Sequence, residues 1–429
     1  MREEAPSEAP APARPGALLV LALAFTAMFV SGPGQSFLIS VFVDDLLAST
    51  GISRTAFSSI YAGATVCAGL LTLLIGRVAD RLGLRALWLG AAAGLATACL
   101  LTSLAEGIVL AAVSLALLRA FGHGSLPLVG TLLANHSVHQ RRGAAVAAAN
   151  FGLSAATIAL PPLVALLIDG VGWRASFRIL GLVVLALAPL AFAIRPAAPG
   201  SAAPAAAGVE PAVAVAPGAA APARARPWPR RRGGHAAGVD RSAVLLLAVL
   251  VPLPIVATGL TFHAVSLLAG RGLDRPAAAL ALSAIGIAAA ISTGLAAGVI
   301  DRLSTSAMLV AMSATLLVST LVLLVPVGLL AYPGFALMGL ATALFSLASG
   351  IAWARTYGLA GLGRRQGVSF AVISVSAAVG PLPLAVSRSL TGSYTAGLVL
   401  LAALSAVGVV AALRWREPDN GPVPTSARS

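Results

Sequence analysis

Ten residues, Gly76-Arg77-Val78-Ala79-Asp80-Arg81-Leu82-Gly83-Leu84-Arg85, join two long apolar segments at 56–76 and 86–105. A connection this short and this charged cannot lie in hydrocarbon, where backbone polar groups must be satisfied internally. It has to lie at a membrane surface, with both flanking segments running back into the bilayer as helices. Its glycines permit a tight turn, and its three arginines suit the cytoplasmic side.

Composition calls for the same solvent. The 429 residues are 59% hydrophobic and 10% charged, with a mean hydropathy of +0.96. A soluble domain carries roughly 25% charged residues, so the apolar excess needs lipid around it. The net charge of +14 comes from arginine alone, because the chain has no lysine. These arginines sit mostly in short inter-helix loops and one central stretch, so the charge does not argue for nucleic acid. Cys67 and Cys99 fall inside apolar helices and suggest neither a disulfide framework nor a metal site. No nucleophile–base pair or ligand spacing is present, so neither catalysis nor a cofactor is expected.

The ten-residue connection has a degenerate echo. Asp301-Arg302 repeats Asp80-Arg81 at an offset of 221 residues, with Ala297, Ser304 and Ser306 where Gly76, Gly83 and Arg85 stand in the first copy. A second echo pairs Arg142-Gly143 with Gln366-Gly367, each opening an apolar helix with prolines further on. Repetition at roughly half the chain length marks an internal duplication. The spacing Gly-x-x-x-Asp-Arg-x-Gly-x-Arg, with Gly76, Asp80, Arg81, Gly83 and Arg85 all in place, resembles the loop signature of the major facilitator superfamily. Arg141-Arg142-Gly143 entering a small-residue helix with Asn150, and the string Leu260-Thr261-Phe262-His263, are similar to its bacterial monocarboxylate/oxalate–formate-type branch. The resemblance implies an all-α membrane protein of twelve transmembrane helices in two six-helix halves.

The domains expected are a disordered tail (1–16), an amino-terminal half (17–194), an Ala/Pro/Gly/Arg-rich cytoplasmic linker (195–241), a carboxy-terminal half (242–414) and a second disordered tail (415–429). No cleavable leader is expected, because the first apolar stretch is too long. Helix one is expected over 17–43, broken at Gly32-Pro33-Gly34, with Asp44 and Asp45 at its outer end either solvated or passing protons at that mouth. The break is either a packing kink or a substrate-facing bend lined by Gln35 and Ser36. Placing both termini and the linker in the cytoplasm puts twenty arginines inside and six outside. Without the tails and the linker the count is eight against six, so the orientation rests mainly on those segments. The resemblance implies the inner membrane of a bacterial cell.

Arg119 lies well inside the fourth apolar segment, where a charge needs a partner or a wet cavity. It reads as an anion-binding or proton-coupling residue, or as a structural arginine on backbone carbonyls. His123, one turn on, is either a titrating group or a packed polar residue. His263 touches substrate, carries a proton or makes a structural hydrogen bond. Arg355 faces the cavity or snorkels to the interface. The candidate substrate residues are thus Arg119, His123, His263, Gln35, Asn150 and Arg355, with no metal. Gly76, Asp80, Arg81, Gly83, Arg85, Asp301 and Arg302 form a candidate gating loop pair. In it Asp80 would accept from the amino end of helix eleven, and Arg81 and Arg85 would meet acids or carbonyls nearby.

The resemblance implies alternating access about a central site. With no acid inside the apolar segments and Arg119 embedded, the expected substrate is a small organic anion moved with protons or by exchange. Export of a hydrophobic drug-like compound, and a non-transporting sensor on the same fold, are the alternatives. The expected partners are that solute, protons and membrane lipid, and a monomer is the expected state.

Overall fold

The computed structural model describes residues 15–137, 142–194, 241–299, 303–357 and 362–416. Twelve segments among them are long and apolar enough to span a bilayer, and no strand occurs among the described residues. We number the spans α1 to α12.

α1 has two arms, Pro15–Val30 and Ser36–Thr50, joined by a 3-10 turn at Gly32–Gly34. It therefore runs past the expected end at 43. Asp44 and Asp45 lie inside its second arm, and Gly51 closes it in a left-handed conformation. α2 and α3 form one run, Arg54–Ser103, interrupted only at Gly83 (φ 75°, ψ 154°). The ten-residue connection is thus tighter than its length suggests. Helix continues almost to the turn, and one residue in a backbone region open mainly to glycine reverses the chain. Ser53 opens α2 by accepting from the Ala56 amide at 3.2 Å, a standard amino-terminal cap.

α4 comprises Ile108–Leu117, a wider π-helical stretch Leu118–Ser125 and Leu126–Ser137. α5 is Arg142–Val171, and α6 is Trp173–Leu187 with a 3-10 extension Ala188–Ala193. α7 is broken twice: Arg241–Leu250, Pro252–Phe262 and Ala264–Ala269. α8 is Arg275–Val299, α9 Thr305–Leu324 and α10 Ala331–Tyr357. α11 is Leu362–Val379 with Leu382–Thr391, and α12 is Thr395–Arg414.

An even number of crossings puts the start of α1, the Gly83 turn, the ends of α6 and α12 and the start of α7 on one side, here the terminus side. Arg54, Arg275 and the end of α1 lie on the other, the far side. Leucines and valines exposed all round the bundle, such as Leu163, Leu182, Leu295 and Val407, are each more than half exposed. Such a surface is compatible only with lipid.

The halves meet along α5 and α8, where Ser283 donates to the Ile158 carbonyl at 2.6 Å. On the far side they are tied by charge. Arg54 reaches Asp44 at 2.5 Å, and Ser266 of α7 donates to the same carboxylate at 2.6 Å. Arg275 of α8 pairs with Asp45 at 2.9 Å and with Asp169 at 3.3 Å. Asp44 and Asp45 are thus not merely solvated: the second arm of α1 turns them toward basic and hydroxyl groups of α2, α7 and α8.

Candidate functional site

A central cavity lies between the halves. Six hydroxyls line it: Ser36, Ser154, Thr157, Thr258, Thr261 and Thr342. Phe37, Leu153, Pro254, Ile285 and their neighbours supply apolar walls, and among the described residues no charged side chain lines it. Such a mix holds an apolar body and orients it by a few hydrogen bonds.

A polar cluster backs this cavity. Ser36 Oγ and Tyr61 Oη are 2.5 Å apart. The Arg119 guanidinium lies 4.8 Å from the centre of the Tyr61 ring, donates from Nε to Thr65 Oγ1 at 3.1 Å and donates to the Gly34 carbonyl at 2.9 Å. Arg119 is only 1% exposed, and among the described residues no carboxylate pairs with it. The Gly32–Gly34 turn is what allows this contact, because it frees a carbonyl of α1 from helical bonding. Gly34 and Gly122 pack backbone to backbone: a Cβ on Gly122 would sit 2.7 Å from the Gly34 Cα. Only glycines let α1 and α4 approach so closely.

Gln35 completes the cluster. Its Nε2 donates to Ser31 Oγ and to the Gly122 carbonyl, each at 3.3 Å, and its Oε1 is 3.1 Å from His123 Nδ1. Gln35 and His123 are therefore in contact, and Arg119 meets the same turn of α1 one residue earlier, at the Gly34 carbonyl. Asn150 lies apart from them, half-buried in α5 one turn toward the terminus side of Ser154.

Two of the substrate candidates lie elsewhere. His263 is fully buried at the second break of α7, where its Nε2 donates to the Pro381 carbonyl of α11 at 3.0 Å. Its ring packs beside Phe262 and Tyr394 and takes no part in lining the cavity. In this arrangement His263 makes a hydrogen bond between helices. Nearby on the far side, burial raises the Tyr394 phenol above its ordinary value. Arg355 donates to the Leu303 carbonyl at 2.9 Å on the terminus side. It is long enough to leave the bilayer for that loop, so it does not face the cavity.

Of the gating candidates, Gly83 forms the turn and Arg85 donates to the carbonyls of Phe192 and Ile194 at 3.0 and 3.1 Å. Arg85 thus ties α3 to the end of α6 within its own half. The side chains of Asp80 and Arg81, the surroundings of Gly76, and the whole of Asp301-Arg302 lie outside the described residues. Sequence reasoning missed Tyr61, Thr65 and most of the hydroxyl lining. Its one usable signal was the Thr258-x-x-Thr261 spacing on a single face of α7.

A two-fold six-helix bundle with a central cavity and polar breaks in α1 and α7 defines a class of membrane carriers. Residues 24–336 match the family model of the Major Facilitator Superfamily, and the chain belongs to that superfamily. No curated protein sequence matches it significantly. Among solved structures, it is similar to a bacterial homologue of the human lysosomal transporter Spinster in an inward-facing, occupied conformation. The TM-score is 0.67 at 14% identity, over 94% of this chain and 96% of that one. The nucleoside transporter NupG gives 0.67 at 12% identity, over 93% and 98%. A D-xylose–proton symporter gives 0.67 at 14% identity, over 92% and 96%. At these identities the likeness is one of fold.

Proposed function

We propose that the chain is a secondary active transporter of the inner membrane, with cytoplasmic termini, that carries a small organic anion of monocarboxylate type by alternating access. The observation that carries the substrate class is Arg119, buried behind the cavity wall with no carboxylate partner among the described residues. A guanidinium held by one hydroxyl, one carbonyl and one ring keeps donors for an anion, and its planar fork suits a carboxylate. The cavity's hydroxyls and apolar walls suit the body of such a molecule. Ser36 and Tyr61 stand between the cavity and Arg119, so the carboxylate reaches the arginine when that pair parts. The kinship to the monocarboxylate/oxalate–formate-type branch rests on sequence motifs alone.

Counterflow in proteoliposomes tests the substrate class. Vesicles preloaded with unlabelled lactate, benzoate or a neutral amphiphile of the same size would be given the labelled form outside. Exchange of the carboxylates alone is the expected outcome, and exchange of the neutral compound alone would overturn the reading. The uncharged cavity lining favours that second reading, export of an apolar compound.

A further inference from the structure

A second, smaller cavity lies on the terminus side of Tyr61 and Arg119, between α2, α4 and α11. Thr65, Thr72, His123 and Ser374 line it, with Phe370 and Ala377 from the opposite half. We propose that His123 is the proton-binding residue of this carrier, loaded at Nε2 through this cavity, with Gln35 as the positioning residue that fixes its tautomer. The proposal deepens the transport reading and rests on it.

The hydrogen-bond directions carry the argument. The Gly122 carbonyl can only accept, so the Gln35 NH₂ group must face it, and the Gln35 oxygen must face His123. Ser31 donates its own proton to the Met28 carbonyl at 2.6 Å, so it accepts from the same NH₂ group. His123 Nδ1 is then the N–H of the neutral ring, donating to Gln35 Oε1, and Nε2 keeps a free lone pair. No hydrogen bond to a protein group involves that nitrogen among the described residues, and the His123 side chain borders the cavity. A hydronium in the cavity transfers its proton to this lone pair and leaves as water. The imidazole becomes imidazolium without disturbing the Gln35 bond.

Charge then decides which conformation takes the proton. Arg119 lies one turn away on the same helix, and Tyr61 is the titratable group on α2 nearest the cluster. The lining residues of α11 and the facing residues of α1 carry no ionisable side chain. Arg365, at the start of α11, stacks on Tyr357. A second buried cation beside Arg119 is unfavourable in this closed arrangement. It becomes acceptable when the cavity, built from both halves, widens to water or when an anion joins Arg119. Proton binding therefore favours the terminus-open state, and an anion favours proton binding.

Two measurements test this without any substrate. Nitrogen-15 spectra of histidine-labelled full chain in nanodiscs, assigned by loss of a signal in His123→Gln, are expected to show the Nδ1–H tautomer. Gln35→Leu should release it into a mixture of tautomers. Spin labels at Leu82→Cys and Leu413→Cys, in a Cys67→Ala/Cys99→Ala background, should report a several-fold larger open population at about pH 5 than at about pH 8, spanning the titration range of histidine. His123→Gln should remove that response. An Nε2–H tautomer, a wild-type distance that ignores pH, or a response that survives His123→Gln would each overturn the proposal. Absence of carboxylate flux with the pH response intact would instead defeat the transport reading.

Discussion

The two broken helices, α1 and α7, hold equivalent places in the two halves but are finished in opposite ways. At the α1 break the freed Gly34 carbonyl is taken by a charged guanidinium, and Gln35 links the turn to α4. At the second α7 break, His263 keeps the backbone bond from its amide to the Gly259 carbonyl at 3.2 Å, and its side chain donates to a neutral carbonyl of α11. One half therefore stores beside the cavity a positive charge with no carboxylate partner among the described residues, whereas the other offers a neutral, ring-packed hinge. The short arm beyond that hinge carries Ser266 to Asp44 in the far-side network. Under the proposed function the anion's charge is met in the first half, while the cavity's hydroxyls come equally from both, Ser36, Ser154 and Thr157 from the first and Thr258, Thr261 and Thr342 from the second. Tyr61 touches both: its hydroxyl meets Ser36, its ring carries Arg119, and Phe262 of α7 packs 4.5 Å from it.

Breaking this asymmetry should have graded effects. The largest is expected for Arg119→Gln, which removes the charge and keeps a polar head. Loss of a charge-assisted contact worth about 1.5–3 kcal/mol predicts a roughly 10- to 100-fold weaker apparent affinity for a carboxylate, read from the concentration dependence of uptake. Gly122→Ala should come next, because its Cβ would strike the Gly34 backbone. Overpacking of this kind costs about 1–3 kcal/mol, seen as a lower unfolding midpoint in detergent. Tyr61→Phe keeps both ring contacts and frees Ser36. The loss of one buried hydrogen bond, about 1 kcal/mol, predicts a several-fold change in affinity without loss of fold. Arg355→Ala should be smallest, within about 0.5 kcal/mol in stability and silent in transport, because that side chain serves a loop carbonyl. A transport defect in Arg355→Ala as severe as that of Arg119→Gln would erase the contrast between the two regions.

Much of the architecture was legible in the sequence, because twelve long apolar segments and a glycine-marked turn leave few alternatives. Arg119, His123 and Gln35 were each conspicuous as polar groups in apolar surroundings, but nothing in the sequence brought them to one turn of α1. The close passage of Gly34 by Gly122 did that, and it depends on the α1 break. The hydroxyl lining was illegible for a different reason. A serine or threonine in a membrane helix can satisfy itself on the preceding turn, as Thr157 does on the Leu153 carbonyl and Thr65 on Tyr61. Its presence therefore does not tell which face it lines. The pairing of Arg275 with Asp45 and Asp169 crosses more than one hundred residues of chain to either partner, beyond any local pattern. For His263 and Arg355 the sequence leaves two readings open, because a polar group in an apolar segment can serve a backbone carbonyl, as both do here, as readily as a substrate.

The central claim is that Arg119 receives the charge of a transported anion. The most direct measurement is gradient-driven uptake of labelled lactate and benzoate into proteoliposomes under an inward proton gradient, with wild type and Arg119→Gln reconstituted in parallel. Accumulation by the wild type that collapses in the variant, with the variant folded and equally inserted, is the predicted result. Equal accumulation by both proteins, or no carboxylate accumulation by the folded wild type, would contradict it.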